Sequence, residues 1–481
     1  MPNAFEQKKM EADARRTPWA SIWMTSTMLL LVGVQYSIYF TSTWQYIKEV
    51  DPTATLDHFA FIMAITSIAG AMANPLFGYW NQKTMSTKHP VCLGFTFCAI
   101  GNLMYGLLPA FPANAVYVAL VARFLCGFGS GTLGVLRSFL ATASTKEDRI
   151  KAISIGTGGL TSGLALGPAV QICFLPIGNE GIYIGPVLFN MYTTTAFFMC
   201  LVNIVFIICI RLFLVEDYAG IISDESKKSD PFLIIPKFDK VAVAIMFFVW
   251  WILSGVSSTQ GLAAPITMAM FNWTSEEAVL YNGIIQSIAC MWSTTMYILF
   301  GTTRLGQIDK RYLLTAGLTL FLSFHLIHIP FPFYDGPLDR PQIINGTEMD
   351  LLGGCSYRYD WCETTTRVPL YLYLFAFSTI VGIGFPLISA SCNSKLSEII
   401  GPRKQGFVTG LMAFTGCMAQ TMVPIIASRV YAISGFKWIM VYHVLSCSTA
   451  LIVVIVFRKR IIPLNMKPDK AKYKSGTFYH L

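Results

Sequence analysis

Residues 121–141 read VARFLCGFGSGTLGVLRSFLA, an apolar run holding two arginines, Arg123 and Arg137, and glycines at 127, 129 and 131. The run matches the length needed to cross a hydrocarbon core of ~30 Å, about 20 residues. An arginine near the centre of a bilayer costs roughly 2.5–3.5 kcal/mol on insertion scales, so a span that keeps one has a use for it. Whether this stretch is a span is decided by the remainder of the chain. Of 481 residues, 54% are hydrophobic and 13% charged, and the mean hydropathy is +0.55. That is too apolar for a soluble globular protein. The stretch is therefore read as part of one helix in an all-α integral membrane protein.

Further runs of spanning length fall at 19–45, 57–80, 90–110, 115–139, 152–175, 192–215, 240–263, 278–300, 311–331, 368–391, 405–427 and 435–457. They predict twelve transmembrane helices. Residues 1–18 are charged and carry no apolar core or cleavage site, which predicts that the first span is its own insertion signal.

Lysine and arginine set the orientation. Of the 35 basic residues, 27 fall in or at the span ends bordering the N-terminal segment, the even-numbered connections and the tail, six likewise on the other side, and two, Arg123 and Arg137, lie deeper within the fourth span. Basic loops stay in the cytosol, so both termini are expected there. The net charge of +9 is thus a topology signal rather than a mark of nucleic-acid binding. The opposite side carries two glycosylation sequons, at Asn272 and Asn345, and no sequon falls in a cytosolic connection. It also carries CSYRYDWC at 355–362, whose Cys355 and Cys362 are the only two of 12 cysteines in one extramembrane segment on the oxidising side. A local disulfide is expected between them.

The one charged, polar interval in mid-chain separates six spans from six. The predicted organisation is a cytosolic N-terminus (1–18), a six-helix half (19–215), a cytosolic linker (216–239), a second six-helix half (240–457) with a luminal loop (332–367), and a cytosolic tail (458–481). Two repeated halves related by pseudo-symmetry are a transporter architecture.

Arg123 with Gly127, Gly129 and Gly131, and the run GLALGP that places Gly163, Gly167 and Pro168 in the fifth span, resemble two signatures of the major facilitator superfamily. Small residues on one face let helices approach closely, and a proline bends a span whose freed carbonyl its neighbours can satisfy. Where the superfamily pattern has an acid in the loop after Gly78, this chain has Asn81. The stretches DPTAT (51–55), NPLFGYWN (74–81), VLRSF (135–139), NMYTTT (190–195), FNWTSEEAVLYNGII (271–285) and LSEIIGPRKQG (396–406) resemble the branch that contains major facilitator domain-containing protein eight, the ceroid-lipofuscinosis neuronal protein seven branch. The resemblance implies the major facilitator fold, residence in late endosomal or lysosomal membranes, and a link to chloride conductance. It also implies that spans 1, 4, 7 and 10 line the path.

On an ideal helix Arg123 and Arg137 are 14 residues apart, ~21 Å along the axis and about 40° around it, so one face is expected to carry both. Apart from Asp57 at the first position of one span, no acid falls inside a span as drawn, and a space with fixed positive charge and no carboxylate favours anions. Arg123 is the expected substrate-binding residue, supported by Gln35 and Tyr39, one turn apart in the first span, and by Gln260 in the glycine-broken seventh. Gly127, Gly131, Arg137, Gly163, Gly167 and Pro168 are expected to shape helix contacts and gating. Arg137 is read as snorkelling towards Glu147 or Asp148, and His325, His328 and His443 as packing residues. There is no phosphate-binding loop, zinc-ligand spacing or nucleophile elbow, so neither an enzyme nor a cofactor is expected. The expected function is a facilitator for a small anion, chloride or an organic anion, in a lipid bilayer. The alternatives are a proton-coupled exporter of a neutral or cationic metabolite and a non-transporting membrane scaffold.

Overall fold

A computed structural model describes residues 16–39, 42–51, 53, 56–111, 114–145, 147–178, 180–185, 187–219, 233–234, 237–340, 343–344, 347–348, 353–357, 359–464, 471–473 and 476–480. Asn345 and the side chain of Gln260 lie outside the described residues. The first six long helices are α1 Trp19–Ser37, α2 Leu56–Thr84, α3 Lys88–Gly106, α4 Ala115–Ala143, α5 Arg149–Ile172 and α6 Met191–Phe213. The second six are α7 Lys240–Ser258, α8 Ser275–Thr302, α9 Lys310–Ile327, α10 Leu370–Ile400, α11 Gly406–Ser434 and α12 Phe436–Val456. Each set of six packs around its own buried apolar core.

Local chemistry sets the helix ends. Asn190 Oδ1 accepts from the Tyr192 and Thr193 amides while Thr193 Oγ1 accepts from the Asn190 amide, a capping box that starts α6. Thr274 and Glu277 do the same for α8. Asp239 and Asp309 cap α7 and α9 by accepting from the backbone amides that open each helix.

Several boundaries differ from the hydropathy reading. The first span stops at Ser37, and Thr43–Val50 forms a separate helix. Helix α10 runs nine residues past the expected end at 391 and carries buried Lys395 and Glu398. Hydropathy closes a span at its first charge, whereas here two opposite charges three residues apart pair at 3.0 Å and continue the helix. The expectation that no acid lies within a span is thereby corrected. Helix α4 is broken: its regular parts are Ala115–Ser130 and Leu133–Ala143, with Gly131 and Thr132 at ψ −6° and −9° between them. Those angles are far from the helical value near −42° and turn the chain before it resumes.

Glycines let the helices of the first half touch. A Cβ on Gly127 would sit 2.2 Å from the Thr66 carbonyl oxygen of α2, and one on Gly163 would sit 2.0 Å from that of Leu30 in α1. Gly131 and Gly167 meet Ala73 and Ser37 as closely, and Pro168 lies inside α5.

The halves meet at the end expected to be cytosolic. There α2 crosses α11, with Gly78, Asn74 and Gln82 against Gly406, Gly410 and Phe407, and Gly134 of α4 abuts Gly410. Gly158 and Gly301 bring α5 against α8. At the opposite end the described residues between Ile329 and Pro369 fold over the second half. The Cys355–Cys362 disulfide holds this cap, which is tied down by an Arg367–Asp339 ion pair of 2.7 Å and by Trp361 packed on Tyr431 and Phe436. Asn272 is exposed beside it and donates to Asp339.

Candidate functional site

The two arginines of α4 lie in different surroundings. Arg123 is 2% exposed, its guanidinium is 5.0 Å from the ring centroid of Tyr39, and its electrostatic neighbours Tyr39, Tyr105, Cys98 and Cys126 all belong to the first half. The expectation that it opens onto the space shared by the halves is corrected. The break at Gly131–Thr132 invalidates the projection of α4 as one straight helix, and the two arginines do not share a face.

Gln35 and Tyr39 do act together. Tyr39 donates its hydroxyl to Asn102 Oδ1 at 2.6 Å, Asn102 Nδ2 donates to Gln35 Oε1 at 2.7 Å, and Gln35 Nε2 returns a bond of 3.2 Å to Asn102. Asn203 of α6 donates to Gln35 at 3.4 Å. This ring joins α1, α3 and α6, so both residues face the interior of the first half, with their polar atoms consumed by partners. Asn102 and Asn203 are isolated amides in apolar sequence and nothing in their spacing marks them.

Arg137 sits on the seam. Its guanidinium is 4.9 Å from the ring centroid of Trp250 in α7, and its electrostatic neighbours are Tyr36 of α1, Tyr297 of α8, Cys392 of α10 and Cys417 of α11. Four of the five contributing helices belong to the half opposite α4. The side chain keeps partial exposure, its Nε has no hydrogen-bond partner in the protein, and no described carboxylate pairs with it. The expected pairing with Glu147 or Asp148 is absent among the described residues, since Asp148 accepts instead from Thr17 at 2.7 Å. Around Arg137 the seam is polar: Ser130 Oγ lies 3.0 Å from the Tyr36 hydroxyl, and Tyr297 lies 2.6 Å from Ser389 Oγ. Chemically this is a fixed cation on an aromatic platform, ringed by hydroxyls and short of negative charge. It can hold an anion between the halves.

Below the seam, at the expected cytosolic end, the charges are balanced. Lys395 pairs with Glu398 at 3.0 Å and Asp309 at 3.8 Å, and Lys310 pairs with Glu398 at 3.1 Å. Arg149 donates to the Ala141 carbonyl and is buried close by. Among the described residues no three histidine, cysteine or acidic side chains are placed to hold a metal ion.

The Major Facilitator Superfamily family model matches residues 18–338. Major facilitator superfamily domain-containing protein 8 of Xenopus laevis is 28% identical over 490 aligned positions, covering 95% of this chain and 94% of that protein. Among solved structures, the proton:xylose symporter XylE superposes with a TM-score of 0.66 at 13% identity, covering 92% of this chain and 96% of that one. A bacterial homologue of the iron transporter ferroportin, in an outward-facing state, superposes with a TM-score of 0.64 at 13% identity, covering 92% and 99%.

Proposed function

The chain belongs to the Major Facilitator Superfamily, and from that premise we propose that it moves a small anion, chloride or an organic anion, across an endolysosomal membrane along the seam between its halves. The family and fold make it a multi-pass membrane transporter and not an enzyme. The observation that carries the anion reading is Arg137, a partly exposed cation on the seam with no acid among the described residues to cancel it. Trp250 and Tyr297 orient it, and Tyr36 and Ser130 offer hydroxyls to the solute. Arg123, with Tyr39 and Gln35 behind it, adds a second positive charge in the wall of the first half, and Gln260, whose side chain lies outside the described residues, stays a candidate from the sequence alone. Endolysosomal residence, with both termini cytosolic, follows from the motif resemblance and the distribution of basic loops.

Electrostatics sets the scale. A unit charge ~4 Å from an anion contributes ~4 kcal/mol at an effective dielectric of ~20. Removing it lowers anion affinity roughly 100- to 1,000-fold. The test is flux of a panel of anions into liposomes containing the purified chain, comparing wild type with Arg137→Gln and Arg137→Lys. The glutamine variant is expected to lose saturable anion flux and the lysine variant to keep part of it. Folded Arg137→Gln with unaltered flux and selectivity sinks the proposal. A proton-coupled exporter is the second reading, favoured by the buried Glu398 of α10. It predicts flux that follows the pH gradient and survives chloride replacement.

A further inference from the structure

The second half contains a cavity of about 60 Å³, apart from the seam, between α7 and the segment 259–271 that follows it, α9, α10 and α12. Its wall is largely aromatic, with Phe321, Phe324, Tyr373, Phe377 and Phe436 among the lining residues, but three histidines also face it. His325 and His328 of α9 are each 3% exposed and His443 of α12 is 0% exposed, and the rings of His325 and His443 are 4.7 Å apart. Only two of the six ring nitrogens have partners in the protein: His328 Nδ1 is 2.6 Å from the Phe324 carbonyl and His443 Nε2 is 3.0 Å from Thr259 Oγ1. Both nitrogens of His325, Nε2 of His328 and Nδ1 of His443 have none, nor does Ser257 Oγ, which lines the same cavity. Buried polar atoms are almost always satisfied, so such a concentration at one cavity calls for a ligand.

The chemistry of the walls narrows what that ligand is. The titratable groups facing the cavity are His325 and His328 from α9, His443 from α12 and Tyr373 from α10, while α7 and the segment after it contribute only the hydroxyls of Ser257 and Thr259. Among the described residues no aspartate, glutamate, lysine or arginine lines it. Three neutral imidazoles can share donor and acceptor duties with a small neutral guest. Once one takes a proton, an unbalanced cation sits in an apolar enclosure, and no carboxylate is at hand to neutralise it. A small anion entering with the proton restores neutrality and accepts hydrogen bonds from the imidazolium and Ser257. A space of about 60 Å³ accommodates a small inorganic anion such as chloride. The adjoining stretch of α10, Ala376–Val381, is π-helical and supplies Phe377 and Val381 to the wall; such bulges recur at functional sites.

We propose that the His325–His328–His443 cavity is a second ligand site that takes up one proton together with one small inorganic anion, of chloride size. Proton and anion enter as an electroneutral pair: the proton comes from the bathing solution onto an imidazole nitrogen, and no bond to the anion forms. By linkage each ligand tightens the other. The site is independent of Arg137, so it is tested without reference to transport.

The test is the thermal unfolding midpoint of the purified full chain in detergent, titrated with sodium chloride against sodium gluconate at equal ionic strength, at about pH 5 and about pH 7.5. Chloride is expected to raise the midpoint at pH 5 with an apparent affinity at least tenfold tighter than at pH 7.5. That acid-dependent part is expected to vanish in His325→Gln and His443→Gln, whose side chains hydrogen-bond but do not titrate. It is expected to persist in Arg137→Gln, which removes only the seam charge, so this site and the seam reading fail separately. A wild-type chloride response that is absent at pH 5, or equal at both pH values, overturns the proposal whether or not the variants fold. So does an acid-dependent response that survives in a folded histidine variant.

Discussion

Substituting Gly406 with alanine tests whether the crossing of α2 and α11 is the closed gate of the seam. A Cβ at Gly406 would lie 2.5 Å from Asn81 Oδ1 and 2.6 Å from the Gly78 carbonyl oxygen, against ~3.4 Å for ordinary contact. The Gly78 oxygen belongs to the backbone of a long helix, so it cannot yield without moving α2 from α11. Overpacking of this kind costs about 1–3 kcal/mol. The cost falls only on the state in which the helices touch, so the equilibrium shifts roughly 5- to 150-fold towards the state in which they part. Cys417 of α11, an electrostatic neighbour of Arg137 on the seam, reports the change. In liposomes, its alkylation by a membrane-impermeant maleimide from the α2–α11 end, followed by mass spectrometry, is expected to accelerate by that factor. Gly163→Ala is the control, because its clash with Leu30 lies within the first half; it is expected to lower thermal stability and leave Cys417 labelling unaltered. A folded Gly406→Ala protein whose Cys417 labels at the wild-type rate refutes the gate.

Tyr39→Phe removes the hydroxyl that Asn102 accepts; it is expected to cost about 0.5–1.5 kcal/mol in detergent unfolding while leaving the anion selectivity of flux unaltered, and a changed selectivity would move Tyr39 into the path. Asp309, outside the spans, is raised by burial but pulled down to about 2 by hydrogen bonds from Arg311 and the charge of Lys395. Because that lies below the ordinary carboxyl value of ~3.9, its contribution is complete above about pH 4 and is lost as pH falls towards 2. Asp309→Asn is therefore expected to flatten the unfolding profile only below about pH 4; a flattened slope between pH 5 and 7.5 would contradict the assignment. Asn272, exposed at the end expected to be luminal, is expected to carry a glycan in cells, so Asn272→Gln should remove one endoglycosidase-sensitive mobility step on a gel. No step would place this end on the cytosolic side or leave the sequon unused.

Hydropathy and helix signatures were enough to read the fold class, because bilayer length acts on whole segments rather than on single contacts. The site was less legible. Arg123 and Arg137 are equivalent on an ideal helix, and only the turn at Gly131–Thr132 puts one inside a half and the other on the seam. Nothing in the sequence announces that turn, because the glycine that permits it is also explained by close packing on Ala73. Trp250 is one of several large apolar residues in α7, and its platform role depends on α4 crossing it from the other half. Lys395 and Glu398 ended a hydropathy window, yet their spacing on one helix face was a readable sign that the span continues.

The polar groups buried in this protein fall into two kinds, and the difference bears on function more directly than burial does. The Gln35–Tyr39–Asn102–Asn203 ring and the Lys395–Glu398–Asp309–Lys310 cluster satisfy themselves from within one half. Such groups need no ligand, and their removal is expected to show first in stability. Arg137 and the three histidines differ in place: Arg137 Nε and four of the six ring nitrogens lack partners among the described residues, as Arg123 Nε does, but these line a seam or a cavity where a solute can complete them. Leaving such groups unsatisfied costs about 1–3 kcal/mol apiece, more where the group is charged. Where such a group also faces the seam or a cavity, a solute can remove that deficit. The same logic orders the arginines. Arg123 is sealed against Tyr39 and its field acts at a distance, whereas Arg137 has an open approach and an aromatic face to turn on. On the proposed anion reading, Arg137 is therefore the arginine expected to gain or lose a bound anion when the halves move.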